Sequence, residues 1–169
     1  MCKCLDKKAV ERIFRIKKRL KNKPLSVIVR DIRMAKTISY IRDREEKILG
    51  RYLPGPLTFV LRKKKFVPDI LAAGRDSIGI RVPDNKIIKE VMKRIDFPIT
   101  ATSANVSGQL PPYSVNEILE QYGSKKEQPD LIVDVGKLPK VKPSAVVDLT
   151  CDPPRVLREG PVWFKLESQ

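Results

Sequence analysis

The stretch Pro98-Ile-Thr-Ala-Thr-Ser-Ala-Asn-Val-Ser-Gly108 begins as an apolar strand and ends as a loop of small hydroxyl and amide residues. Small residues leave backbone N–H groups accessible, and the Ser103 and Asn105 side chains add further hydrogen-bond donors. Alone, Ser-x-Asn more often closes a turn than binds a ligand. Placed at the end of a strand, however, the stretch predicts a site for a nucleotide phosphate or a carboxylate.

Strands and helices are mixed in order on both sides of this stretch. Asp6 is a good N-cap for a first helix, which is expected to end near residues 21–23 because the residue before Pro24 disfavours helix. Further helices are predicted over 31–49 (in two pieces, near Ile41 and Arg42), 85–95 and 115–122. Strands are predicted over 26–29, 58–61, 77–82, 99–102, 131–135, 145–149 and 155–158. This order predicts an α/β (α+β) fold, a single domain over residues 1–169 with a twisted mixed sheet.

The charge balance is strongly basic. The 169 residues include 35 Lys and Arg against 20 Asp and Glu, a formal net charge of +15. Such a charge indicates a polyanionic partner, an anionic substrate, or both. The alternative is a Lys-rich thermophile surface, although ion-pair networks would require more acidic residues. Aromatic residues are 6% of the chain, which argues against the usual base-stacking platform.

The chain has three Cys and no His, which limits the catalytic and metal-binding chemistry that is possible and indicates the cellular compartment. An odd number of cysteines without paired spacing excludes a disulfide framework and indicates a reducing cytoplasm. Cys2 and Cys4 are followed by no second pair of ligands, so no metal site is predicted. Without His, Ser-His-Asp and Cys-His nucleophiles are excluded. No apolar run approaches the ~18 residues that cross a bilayer, and no signal-peptide core is visible, so we expect a cytoplasmic protein without a membrane partner.

A cluster of cations lies far upstream of the Ser-x-Asn loop. Lys17, Arg19 and Lys23 come at the end of the first predicted helix and in the turn after it. They either cap the helix C-terminus, where cations are favourable, or clamp a phosphate, with forked contacts from Arg19 and a point charge from Lys17. Arg81 is a charged residue within an apolar strand. Its partner is either an acidic neighbour such as Asp76 or a substrate anion.

Several segments in a fixed order carry more information together than any one motif. They are Ala9-Val-Glu-Arg-Ile-Phe14, Ile16-Lys-Lys-Arg19, Lys23-Pro-Leu25, Pro54-Gly-Pro-Leu-Thr58, Gly79-Ile-Arg-Val-Pro83, Thr102-Ser-Ala-Asn-Val-Ser-Gly108, Pro143-Ser-Ala-Val-Val-Asp-Leu149 and Val156-Leu-Arg-Glu-Gly160. With these segments the chain resembles the YrdC-type threonylcarbamoyl-AMP synthase family. The resemblance implies a YrdC-like fold, a twisted mixed sheet flanked by helices with a basic concave face.

The resemblance also implies a reaction. Family members are nucleotidyltransferases that condense L-threonine, bicarbonate and ATP into threonylcarbamoyl-adenylate and pyrophosphate. A tRNA threonylcarbamoyl-transferase complex then moves the threonylcarbamoyl group to adenosine at tRNA position 37. Mg²⁺ is expected on the ATP phosphates. Adenylation at the α-phosphate requires positioned reactants and stabilised phosphoryl charge, which suits a chain without a nucleophile–His pair.

By the same resemblance, eight residues have expected roles. The catalytic signature corresponds to Lys17, Arg19, Ser103 and Asn105. The ATP contacts correspond to Arg19, Lys23, Ser103, Asn105 and Arg158, and the threonine contacts to Arg81 and Ser144.

The chain departs from the family pattern at two places. The family opens with a strand and a Thr-Asp-Thr-x-Tyr-Gly-Leu segment that lines the threonine pocket, before the helix that follows Asp6 here. Only residues 1–5 precede Asp6, so we expect an N-terminally shortened form with an exposed sheet edge. Lys18 and Leu20 stand where the family usually has Gly and Pro. The extra C-terminal domain of longer members is also absent from the sequence.

Two other functions are compatible with the same residues. The first is a non-catalytic protein that binds double-stranded RNA or tRNA in the same basic cavity. Charge alone does not separate it from a synthase, but RNA binding weakens steeply with salt. The second is a carbamoyl-phosphate-type transferase domain of hydrogenase maturation, which shares the fold and is normally fused to other domains.

Overall fold

The computed structural model describes residues 1–165, and one mixed α/β arrangement emerges from them. The helices are α1 (Lys7–Lys17), α2 (Ile32–Ile38), α3 (Asp43–Tyr52), α4 (Asp69–Ala72), α5 (Lys86–Lys93) and α6 (Val115–Tyr122). The strands are β1 (Ser26–Ile28), β2 (Leu57–Arg62), β3 (Ser77–Arg81), β4 (Ile99–Ala101), β5 (Ala145–Asp148) and β6 (Arg155–Arg158).

These strands join one sheet in the order β4-β1-β3-β2-β5-β6. Strand β1 runs parallel to β3, and β2 runs parallel to β5. The pairs β4–β1, β3–β2 and β5–β6 are antiparallel. The predicted mixed sheet flanked by helices is therefore confirmed.

One face of the sheet is the core. Residues paired across neighbouring strands point to the same side, and one such row contains Val27, Ile80, Phe59 and Val147, each fully buried. The apolar sides of α1 and α2 join the same cluster through Val10, Phe14, Met34 and Ile38. A sheet of this size is stable because one face is covered in this way.

The opposite face carries small and polar residues. Its positions alternate with those of the core and include Ser26, Thr58, Gly79, Arg81, Ala101, Val146 and Arg158, together with the apolar Ile28, Val60 and Ile99. Strand β3 shows the alternation clearly, with Ile78 and Ile80 buried and Ser77, Gly79 and Arg81 half-buried. A Cβ on Gly79 would lie 3.0 Å from both Ser26 Oγ and Thr58 Cγ2. We call this side the open face and its small residues the floor.

Helix α1 begins where predicted but ends earlier. The Asp6 side chain caps it by accepting a hydrogen bond from Ala9 N at 3.0 Å. The predicted end at residues 21–23 is wrong, because Lys18 adopts a left-handed conformation with φ 48° and stops the helix after Lys17. A residue in this conformation redirects the chain, and Arg19 N then donates to Phe14 O.

We expect Lys18→Gly to raise the free energy of unfolding by about 1 kcal/mol, since a left-handed conformation costs a residue with a Cβ about that much. Urea denaturation measures the change. Lys21→Gly is the matched control, because Lys21 lies in the same turn with a negative φ. It is expected to be neutral or slightly destabilising. Equal effects of the two substitutions would contradict this explanation of the helix end.

Some of the other predicted elements are confirmed by the structure, and others are wrong. The predicted helix over 31–49 forms as two helices, α2 and α3, and Ser114 caps α6 by accepting from Glu117 N. The strand predicted over 131–135 is wrong. That segment pairs with no strand in residues 1–165, and Leu131 and Val133 are 80% and 63% exposed. Helix α4 was not predicted. No helix in this same range is long and apolar enough to cross a membrane.

Candidate anion-binding site

Lys17 joins the end of α1 to the loop that follows β4. Its side chain is only 4% exposed, and its Nζ donates to Ser103 O at 2.5 Å and also to Asn105 O. In return, Ser107 N donates to Lys17 O at 2.8 Å. Burial, with a smaller effect from the charge of Arg19, lowers the pKa of Lys17 to about 8. Lys17 therefore fixes the conformation of the loop by donating hydrogen bonds to the loop's backbone carbonyls.

The loop side chains are arranged around Asn105. Ser103 Oγ donates to Asn105 Oδ1 at 2.5 Å, and Asn105 Nδ2 donates to Gln109 O at 2.6 Å. Ser103 remains exposed. Gln121 of α6 supports the loop from behind by accepting a hydrogen bond from Val106 N at 3.0 Å. The sequence analysis missed Gln121, because no local signal relates a helix side chain to a loop 15 residues earlier.

Arg19 and Lys23 lie in the turn after α1. Arg19 folds back on this turn, and its Nε and a terminal nitrogen donate to Lys23 O at 3.2 Å and to Pro24 O at 2.9 Å. Partial burial lowers the pKa of Arg19. Lys23 is exposed. Lys17, Ser103 and Asn105 are therefore in direct contact, whereas Arg19 and Lys23 lie in the adjoining turn and make no hydrogen bond to the loop within residues 1–165.

A second cluster joins β3 to the β5–β6 hairpin. A terminal nitrogen of Arg81 donates to Ser144 Oγ at 2.7 Å. Arg158 Nε and a terminal nitrogen both donate to Ser144 O, at 3.0 and 2.7 Å. Two guanidinium groups thus converge on one serine. This is the arrangement that binds a carboxylate or phosphate.

Arg81 lacks a carboxylate partner within residues 1–165. Its Nε is buried without a hydrogen-bond partner, and burial together with the charge of Arg158 lowers its pKa. Asp76, the acidic neighbour considered from the sequence, lies before the opposite end of β3 and is exposed. An unpaired buried cation is costly, so the geometry favours an external anion as the partner of Arg81.

The open face connects the two clusters. Ala101 of β4 pairs with Ser26 of β1, and Ser103 follows two residues later. Arg81 lies two strands away from β4, toward the other end of the sheet. With strand spacings near 4.8 Å and a rise of 3.3 Å per residue, the two clusters are about 16 Å apart. A single extended ligand, or two ligands side by side, would span this floor.

Gly160 is a further residue whose role was not evident from the sequence. A Cβ there would lie 2.2 Å from Ala145 N and 2.8 Å from the carbonyl carbon of Ser144. The backbone of residue 160 therefore passes directly against the segment that carries the Ser144 contacts. Only the tertiary structure reveals this close approach.

The chain is similar in sequence and in fold to known proteins. The profile of the Sua5/YciO/YrdC family, described as telomere recombination, matches residues 1–160. The chain belongs to this family. It is 42% identical over 156 residues to a Methanocaldococcus jannaschii protein provisionally named threonylcarbamoyl-AMP synthase, covering 92% of this chain and 72% of that one.

Two solved structures of the family have the same fold. The Sua5/YciO/YrdC member of Pyrococcus abyssi, Sua5 complexed with L-threonine, is 34% identical and superposes with a TM-score of 0.84, covering 94% of this chain. The Escherichia coli protein YciO is 34% identical with a TM-score of 0.80, covering 95% of this chain and 77% of its own. The chain spans 46% of the Pyrococcus Sua5 chain.

Proposed function

We propose that this Sua5/YciO/YrdC member is a threonylcarbamoyl-AMP synthase-like nucleotidyltransferase that acts in the cytoplasm. It would convert L-threonine, bicarbonate and ATP into threonylcarbamoyl-adenylate, pyrophosphate and water. The observation that supports this most is Arg81, a half-buried residue whose buried Nε has no hydrogen-bond partner and whose terminal nitrogen donates to Ser144. A bound Sua5 ligand, L-threonine, carries the carboxylate that such a group would take.

The threonine carboxylate would bind Arg81 and the Ser144 hydroxyl. A bidentate contact from the guanidinium would satisfy its free Nε and neutralise its charge. Arg158, which already fixes the Ser144 backbone, would contact the part of ATP that extends from the Ser103 loop toward this cluster. Since the chain spans less than half of the Pyrococcus protein, the assignment concerns the residues present in this chain.

ATP would occupy the end of the floor near the Ser103 loop. Ser103 and Asn105 would donate to phosphoryl oxygens, while Arg19 and Lys23 would supply positive charge. Lys17 would act with them by keeping the loop in place, because its Nζ already donates to two loop carbonyls. These residues correspond to the catalytic and ATP-binding positions that the family resemblance implies.

The candidate site does not fit a metal ion held by the protein. Its side chains are cations together with neutral Ser and Asn groups, and none of them is a carboxylate that would anchor Mg²⁺. Within the described part of the chain, no three His, Cys, Asp or Glu residues form a metal-binding group. Mg²⁺ would belong to the substrate instead, carried on the ATP phosphates. The product would pass to a tRNA threonylcarbamoyl-transferase complex that modifies position 37 of tRNA.

The test is pyrophosphate release from ATP in the presence of L-threonine, bicarbonate and Mg²⁺. Release is expected to require both threonine and bicarbonate, and Ser103→Ala is expected to lower kcat/KM for ATP about 10-fold through lost hydrogen bonds. Ser124→Ala is the matched control, since Ser124 is an exposed serine in the turn after α6. Release without threonine, or none at all while ATP binds, would contradict the proposal. Binding of duplex RNA with steep salt dependence and no release would favour the RNA-binding alternative.

A further inference from the structure

Two arginines of α1 hold the segment that follows α6. The terminal nitrogens of Arg12 donate to both carboxylate oxygens of Asp130, one of them at 2.8 Å, and to Gln128 O at 3.0 Å. Arg15 Nε donates to Glu127 Oε1 at 2.9 Å. Because they are three positions apart, the two arginines lie on the same side of the helix. We define the ion-pair clasp as the side chains of Arg12, Arg15, Glu127 and Asp130.

The four side chains form a connected network and not two separate pairs. Arg12 Nε also lies 3.9 Å from Glu127 Oε2, so Glu127 faces both arginines. Isolated exposed ion pairs contribute little to stability, but a forked contact between an arginine and a carboxylate fixes geometry as well as charge. The hydrogen bond from Arg12 lowers the pKa of Asp130, so this carboxylate stays ionised at neutral pH. We therefore expect the clasp to fix the position of the segment more than to stabilise the fold.

Hydrogen bonds continue from the clasp to the loop that follows β4. Gln128 Nε2 donates to Lys125 O at 3.0 Å, and Lys125 Nζ donates to Gln121 O at the end of α6. The Gln121 side chain accepts from Val106 N and donates to Leu110 O, both at 3.0 Å. The clasp is therefore connected to the backbone of the loop through α6 and the turn after it.

The other support of this loop is α1 itself. Lys17 ends the helix and donates to the backbone carbonyls of Ser103 and Asn105. In return it accepts a hydrogen bond from Ser107 N at 2.8 Å. Since the clasp joins the end of α6 to α1, the contacts close a ring. A shift of the segment after α6 would therefore change the relative position of the two supports of the loop.

We propose that Arg12 and Arg15 are positioning residues for the nucleotide end of the candidate site. The inference rests on the proposed function, because it takes ATP as the ligand of the loop. A misplacement of about 1 Å in positioning groups can lower a reaction rate about 100-fold, so a small shift of Ser103 would weaken its contact with ATP. Arg81 and Ser144 contact each other outside this ring, and threonine binding should not depend on the clasp.

Charge reversal tests the proposal through two Michaelis constants. Arg12→Glu is expected to raise the KM for ATP about 5-fold and to change the KM for threonine less than about twofold. Adding Asp130→Arg restores an opposite pair and is expected to return the KM for ATP to within about twofold of the wild-type value. Lys8→Glu is the matched control, because it makes the same charge change at an exposed residue of α1. It is expected to change either KM less than about twofold.

Amide hydrogen exchange measured by mass spectrometry supplies a readout that needs no catalysis. The amides of Val106 and Ser107 donate to Gln121 and Lys17. They are expected to exchange about 5-fold faster in Arg12→Glu and to recover in the double variant, because local opening sets the exchange rate. Amides of β3 are expected to exchange at the wild-type rate, since the clasp does not belong to the core.

The outcomes separate this inference from the proposed function. A wild-type chain that binds ATP but releases no pyrophosphate contradicts the proposed function, and the Kd for ATP and the loop exchange of the variants then decide the role of the clasp. A chain that binds no ATP overturns both. Unchanged loop exchange with an unchanged KM or Kd for ATP would overturn the inference alone. Equal increases of both KM values, or faster exchange in β3 as well, would show that the arginines only stabilise the fold and would also overturn it.

Discussion

Arg81→Met is expected to weaken L-threonine binding about 100-fold or more while making the folded chain more stable. Arg81 is half-buried, its buried Nε has no partner within residues 1–165, and its close neighbour Arg158 is also positive. Removing a group that recognises a carboxylate costs several kcal/mol of binding energy. Removing an unpaired buried cation relieves a desolvation cost, so the free energy of unfolding should rise by about 1 kcal/mol.

Weaker threonine binding is measured as a higher KM when pyrophosphate release is titrated with threonine. The change in the free energy of unfolding is measured by urea denaturation without ligand. Arg33→Met is the matched control, because Arg33 is an exposed residue of α2, and it should change neither quantity measurably. If Arg81→Met lowers stability and leaves the KM for threonine unchanged, Arg81 is a structural residue and the threonine assignment is wrong.

Gly160→Ala is expected to lower the free energy of unfolding by about 3 kcal/mol or more, a large effect for one methyl group. The added Cβ would lie 2.2 Å from Ala145 N, and backbone atoms give way less readily than the end of a side chain. Ala145 N also donates to Pro56 O at 3.1 Å, so displacement of residue 145 disturbs the junction of β5 with β2. Ser144 would move with it, and its contacts with Arg81 and Arg158 would be lost.

Gly50→Ala is the matched control for the loss of a glycine. Gly50 lies within α3, and a Cβ there would meet nothing within 4 Å. The substitution is expected to raise stability by about 0.5–1 kcal/mol, because alanine favours helix over glycine. Urea denaturation compares the two variants. A loss below about 1 kcal/mol for Gly160→Ala would mean that the C-terminal turn shifts without strain.

Features that depend on neighbours in sequence were predicted well. Asp6 and Ser114 cap α1 and α6 as expected, because a cap is satisfied by an amide three residues away. The break between α2 and α3, the position of β3 and the family motifs also follow from short segments. The sequence also indicated Lys17, Ser103, Arg81 and Ser144 as candidate anion-binding residues. Their binding roles remain proposals.

Sequence by itself therefore determined the fold class, the family and most element positions, since capping, periodicity and motif order act over a few residues. The tertiary structure decided the rest. Segment 131–135 has the composition of a strand, yet a strand also needs a partner for its backbone, and none pairs with it within residues 1–165. Arg81 and Ser144 are 63 positions apart, and Lys17 and Ser103 are 86 apart. Such contacts exist only because the sheet brings distant strands and loops together, and their energies depend on burial that no short segment encodes.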